Sequence, residues 1–69
     1  MQIVDTRGLS CPQPVIETKK VIDTKETELQ VLVDTIAAKE NVSRYAKAAK
    51  FSVSDTKTAY GWSLELKKL

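Results

Sequence analysis

The sequence predicts an α+β protein: a two-layer α/β sandwich of order β-α-β-α-β-β, with a mixed four-stranded sheet and two helices on one face. Three observations lead there. Short runs that read as strands recur at 2–5, 28–34, 51–55 and 60–68, the first two by apolar and β-branched content and the last two by period-two alternation. Two stretches with helical spacing separate the first three of them. The whole chain has 69 residues, so all these elements must share one core and form a single domain, 1–69. A β-α-β crossover favours parallel neighbours joined right-handedly. No repeat, linker or low-complexity segment interrupts the order.

Each element has its own signal. "QIVD" (2–5) is a short apolar run closed by "TRG", a strand. "CPQPVIETKKVIDT" reads as the first helix, with Val15 and Ile22 on one face and Pro14, Thr18 and Val21 on a neighbouring stripe. Pro12 suits the first helical position and Pro14 the first turn, where a missing N–H costs little. Gln13 precedes a proline and so resists helical angles. "ELQVLVD" (28–34) is a strand with Leu29, Val31 and Val33 on one side and Gln30, Leu32 and Asp34 on the other. "AKENVSRYAKAAK" is the second helix, with an apolar stripe of Ala38, Val42, Tyr45, Ala46 and Ala49. "FSVSD" and "YGWSLELKK" form a hairpin around "TKTA". Tyr60, Trp62, Leu64 and Leu66 are expected on its core face.

Composition narrows the function. The chain is 42% hydrophobic and 29% charged, as in a soluble globular domain. A chain this short buries only about 60% of its unfolded surface. With one cysteine and no histidine, an internal disulfide and a zinc site of the usual ligands are excluded, so packing alone must hold the fold. No apolar run reaches the roughly 20 residues of a membrane helix, and "MQIVDTRG" lacks the features of a signal peptide. A lone thiol fits a reducing, cytoplasmic setting. The net charge of +2 does not argue for direct nucleic-acid binding, though it is compatible with a weak encounter with an acidic partner. Lys19 and Lys20 are surface charges that could steer such a partner. No phosphate loop or dinucleotide fingerprint is present, and no cofactor is implied.

The only cysteine, Cys11, stands in "GLSCPQP". It could be a buried filler, a metal ligand, half of a disulfide or a working thiol. Its place at a predicted helix start favours the last. A helix N-terminus carries about half a positive charge and free N–H groups, which lower a thiol's pKa and hold its anion. The flanking prolines stiffen the turn, and Gly8 would let the incoming loop bend and come close. There is no histidine for a Cys-His pair and no second cysteine for a CxxC cycle. A thiol without a base or a resolving partner suits a carrier of sulfur as a persulfide.

"DTRGLSCPQPVIETKKVI" resembles the TusA/SirA/YedF family of small sulfur carriers, whose hallmark is Cys-Pro-x-Pro at the start of the first helix. "VLVDTIAAKENVSRYAKAAKFSV" resembles the YedF-type branch, the amino-terminal domain of proteins associated with selenium metabolism. The resemblance implies the same β-α-β-α-β-β fold and makes Cys11 the sulfur-bearing residue. It also implies a cysteine desulfurase or other sulfur donor, and a downstream acceptor protein such as a tRNA-thiolation relay. In the YedF-type branch a second domain often follows, so this chain could be the first domain of a longer protein. "DTKETE" replaces the Pro-Gly common in the family before the second strand, so that turn must be built differently. The tail "GWSLELKKL" keeps the strand pattern without a close residue match.

Arg7 lies four residues before Cys11 and could stabilise its anion. Arg44 could face Cys11 if the second helix packs beside the first. Asp5 and Asp34 end strands and are expected to serve turns or caps. The competing reading is a non-catalytic interaction or regulatory module in which Cys11 is structural.

Overall fold

A computed structural model describes residues 2–9 and 13–69. The element order is β1 (Gln2–Asp5), α1 (Gln13–Ile22), β2 (Glu28–Val33), α2 (Ile36–Ala48), β3 (Phe51–Lys57) and β4 (Trp62–Lys68). The sheet runs β1-β2-β4-β3. β1 lies parallel to β2, and β4 is antiparallel to both β2 and β3. Both helices cover one face, α1 over the β1–β2 half and α2 over the β4–β3 half. The predicted α+β two-layer sandwich is therefore the observed fold.

The core follows the period-two pattern. Leu29, Val31 and Val33 of β2 and Leu64 and Leu66 of β4 point at the helices and are wholly buried. Phe51 and Val4 close the core at its flanks. From α2 come Ala38, Val42 and Ala46, small residues four apart that let the helix lie close to the sheet and to α1. On α1 the inner residues are Pro14 and Thr18, with Val15, Val21 and Ile22 half-buried beside them. Thr18 is fully buried, and its hydroxyl donates to the Pro14 carbonyl at 2.8 Å. The hydroxyl thus remains bonded inside the core, as buried polar groups must. The opposite face of the sheet carries Gln30, Glu65, Ser52 and Ser54, and Gln30 donates to the Ser63 hydroxyl across it.

α1, β2 and α2 end at Ile22, Val33 and Ala48, one or two residues short of expectation, and three further boundaries differ with a visible cause. α2 begins at Ile36, two residues earlier than its apolar stripe suggests, because Thr35 caps it: the Thr35 hydroxyl accepts from the Ala38 N–H at 3.1 Å. β3 runs on through Lys57, so the turn is Thr58–Gly61 rather than "TKTA". Tyr60 consequently lies in that turn, outside β4, and is exposed instead of facing the core. Trp62, the first residue of β4, is half-buried against the core.

Each helix is followed by a lysine with left-handed backbone, Lys25 at φ 67° after α1 and Lys50 at φ 70° after α2. Their N–H groups donate to the Ile22 and Lys47 carbonyls. Lys25 thus supplies the turn that "DTKETE" builds without Pro-Gly. A side chain in this conformation costs roughly 1–2 kcal/mol, which glycine avoids. Lys25→Gly and Lys50→Gly should each raise unfolding free energy by about 1 kcal/mol, read from urea midpoints. Gly61 is the opposite case. A Cβ there would collide with the Val33 carbonyl oxygen and lie 2.6 Å from Asp34 Cα. Gly61→Ala should lower stability by about 1–3 kcal/mol in the same measurement.

Candidate functional site

Parallel pairing decides where the loops meet. β1 and β2 end at the same edge of the sheet, so the loop after β1 and the start of α2 after β2 lie together. The β3–β4 turn arrives at that edge too, because Trp62 is in register with Val33. Both helices start there, and each N-terminus contributes about half a positive charge. Cys11 and Pro12, the residues on which the thiol reading turns, lie outside the described residues.

Loop 6–9, which leads toward them, is stapled on three sides. Thr6 is buried, and both its N–H (3.0 Å) and its hydroxyl (2.6 Å) donate to the Leu32 carbonyl. The Gly8 N–H donates to Asp34 Oδ2 at 2.8 Å. Arg7 grips Asp5 with Nε (2.9 Å) and Nη2 (2.7 Å), while its N–H donates to the same carboxylate at 3.1 Å. The Arg7 guanidinium also stands 4.6 Å from the Tyr60 ring centroid, tying the loop to the hairpin turn. Asp5 and Asp34 thus do the turn duty expected of them. Gly8 has φ +80°, so the bend is present. Apart from its chain neighbours, no heavy atom among the described residues lies within 4 Å of where its Cβ would be, and the approach toward Cys11 lies outside the described residues.

The predicted site residues therefore divide. Arg7, Gly8 and Pro14 belong to the loop and helix start at this end. Arg44 lines a groove between α2 and β3, where its Nη1 donates to Asn41 Oδ1 at 3.1 Å. Two residues were not read as part of the site: Asp34 as the anchor of Gly8, and Tyr60 as the partner of Arg7. The glycine directly after Tyr60 was the available signal that the strand had not yet begun. Leu9, Ile36 and Tyr60 are exposed, so this end also offers apolar surface. Among the described residues, no cluster of three or more His, Cys, Asp or Glu is placed to hold a metal ion. Among the described residues, no helix is long and apolar enough to cross a membrane.

The Arg7 side chain and N–H hold Asp5 well below the usual carboxylate range, at about 2. A depressed folded value means that the clasp contributes fully above the ordinary carboxylate pKa and is lost as pH falls through about 2. Because the pair is exposed, the contribution is small and screened by salt. In a carbon-detected NMR titration the Asp5 carboxyl should titrate near 2, and in the Arg7→Gln variant it should return toward 3.8. An unchanged value in that variant would show that the Arg7 side chain is not the cause.

A family model described as "Sulfurtransferase TusA" matches residues 2–68. A candidate sulfur carrier protein of Methanocaldococcus jannaschii, MJ0990, is 36% identical over 55 residues, spanning 77% of this chain and 73% of that protein. The crystal structure of a SirA-like protein from Desulfitobacterium hafniense superposes with a TM-score of 0.86 at 25% identity, covering 97% of this chain and 96% of that one. Sequence match and superposition extend across the whole sandwich, and the chain belongs to the TusA sulfurtransferase family.

Proposed function

We propose that the protein is a sulfur carrier that takes sulfur as a persulfide on Cys11 and relays it to an acceptor protein. The observation that carries this reading is the lone cysteine in Cys-Pro-x-Pro, between loop 6–9 and α1, in a chain of the TusA family. In the first exchange the Cys11 thiolate attacks the outer sulfur of a donor persulfide. The new S–S bond forms on Cys11, and the donor's sulfur–sulfur bond breaks to release its thiolate. In the second, an acceptor thiolate attacks the outer sulfur on Cys11 and returns the Cys11 thiolate. Neither step needs an external oxidant or reductant.

The protein's own contribution is positional. The clasped loop and the helix start favour an anionic sulfur at this end. Arg7, its charge compensated by Asp5, acts by holding the loop in place, and Pro12 and Pro14 are expected to stiffen the entry to α1. The exposed Leu9, Ile36 and Tyr60 give a donor or acceptor protein apolar surface to rest on. A cysteine desulfurase is the donor class we favour and the cytoplasm the setting. The acceptor belongs to a sulfur or selenium pathway, tRNA thiolation among them.

Intact-mass spectrometry after incubation with a cysteine desulfurase and cysteine tests this. The expected result is a gain of one sulfur mass, reversed by a thiol reductant and absent in Cys11→Ser. No gain with several desulfurases, while Cys11 still alkylates readily, would favour a non-catalytic interaction module. Gly8→Ala should slow loading while costing roughly 1 kcal/mol of stability, because its left-handed turn resists a side chain.

A further inference from the structure

The molecule is electrically lopsided. Residues 1–34 carry four Lys and Arg against six Asp and Glu, whereas residues 35–69 carry seven against three. The fold turns this order along the chain into a division in space: β1, α1 and β2 form one half, and α2, β4 and β3 the other. In the acidic half Arg7, Lys19 and Lys20 are neutralised by Asp5, Asp23 and Glu17. The steering face expected of Lys19 and Lys20 is thereby muted. In the basic half Lys39 reaches Asp55 at 3.0 Å and holds its carboxyl below the usual range. Among the described residues, Arg44 and Lys47 meet no carboxylate within ion-pair distance. Both line a groove of about 400 Å³ between α2 and β3, floored by Val53, whose rim also holds Lys39 and the carboxylates Glu40 and Asp55, leaving it one positive charge in excess (three cations against two carboxylates).

That groove stands above an unpaired strand edge. Among the described residues, β3 pairs only with β4. The Thr58 N–H donates to the Gly61 carbonyl at 2.8 Å and the Leu69 N–H to the Lys50 carbonyl at 3.0 Å. In an antiparallel ladder, bonded pairs alternate with non-bonded ones. In this register Ser52, Ser54 and Thr56 therefore direct their backbone groups at β4, and Val53, Asp55 and Lys57 direct theirs outward. The side chains of Val53 and Asp55 point to the helix face, into the groove.

We propose that the free edge of β3 takes an extended acidic segment of a partner protein as a fifth strand. Its backbone pairs with Val53, Asp55 and Lys57, and its alternate carboxylates rise toward Arg44 and Lys47. This goes beyond the sulfur-carrier reading and stands whether or not Cys11 bears sulfur. Charge selects the occupant. A second copy pairing β3 with β3 would bring two sets of Arg44 and Lys47 together. A single-stranded nucleic acid would stack its bases on an open aromatic face, yet the Trp62 ring is flanked by Lys57 at 4.4 Å and Lys39 at 5.3 Å.

The probe is a capped peptide of roughly eight residues alternating threonine and glutamate, about the length of a strand, titrated into the full chain and followed by amide NMR. The Val53, Asp55 and Lys57 amides should shift and exchange more slowly with solvent. The Arg44→Glu, Lys47→Glu double variant should bind at least about tenfold more weakly, with a dispersed spectrum showing that it is folded. The same peptide N-methylated on alternate, edge-facing amides should lose binding to the unaltered protein. Equal binding of the methylated peptide would reduce the contact to charge and overturn strand addition. Shifts confined to residues 13–33, self-association without peptide, or tighter binding of an oligouridylate of equal charge would each overturn the proposal as well.

Discussion

The parallel pairing of β1 with β2 is the constraint on which the rest depends. Parallel neighbours cannot be joined by a tight turn, so the chain must cross over, and α1 is that crossover. That crossover lays α1 on one face, and burial of the same face of β2 draws α2 onto it. Both helices then start at one edge of the sheet. What gathers there is set by topology first and by side chains second. Asp5, Arg7, Asp34 and Tyr60 refine a meeting place that the backbone has already chosen.

Much of this was legible because the packing code is simple. Alternation on β2 and β4 named Leu29, Val31, Val33, Leu64 and Leu66, and the structure buries all five completely. The helical stripe named Ala38, Val42 and Ala46 for the same reason. What escaped were features that depend on a single hydrogen bond or backbone angle. Thr35 carries no apolar signal, yet its hydroxyl moves the start of α2. Tyr60 fits the alternation of β4 in the sequence, and only the conformation of Gly61 takes it out of the strand.

The site was legible in part. The loop chemistry of Asp5 and Asp34 follows from their places at strand ends, where a carboxylate finds unpaired N–H groups. That Arg7 would close on Asp5 and stack on Tyr60 depends on a meeting of β1 with the β3–β4 turn, which local patterning does not encode. Arg44 shows the converse: a helix face can be read from spacing, but its neighbour across the groove is decided by strand order.

The pressing of Gly61 onto Val33 and Asp34 has a consequence for strand alignment. Sheet registers are prone to slip, and a slip of one residue turns every side chain to the opposite face. Here Leu64 and Leu66 would go to solvent and Ser63 and Glu65 to the core. Where the turn meets the end of β2 there is room for a hydrogen atom and nothing larger. The hairpin can seat against β2 only with its glycine at that point, so one missing side chain works as a registration stop for the whole antiparallel half of the sheet.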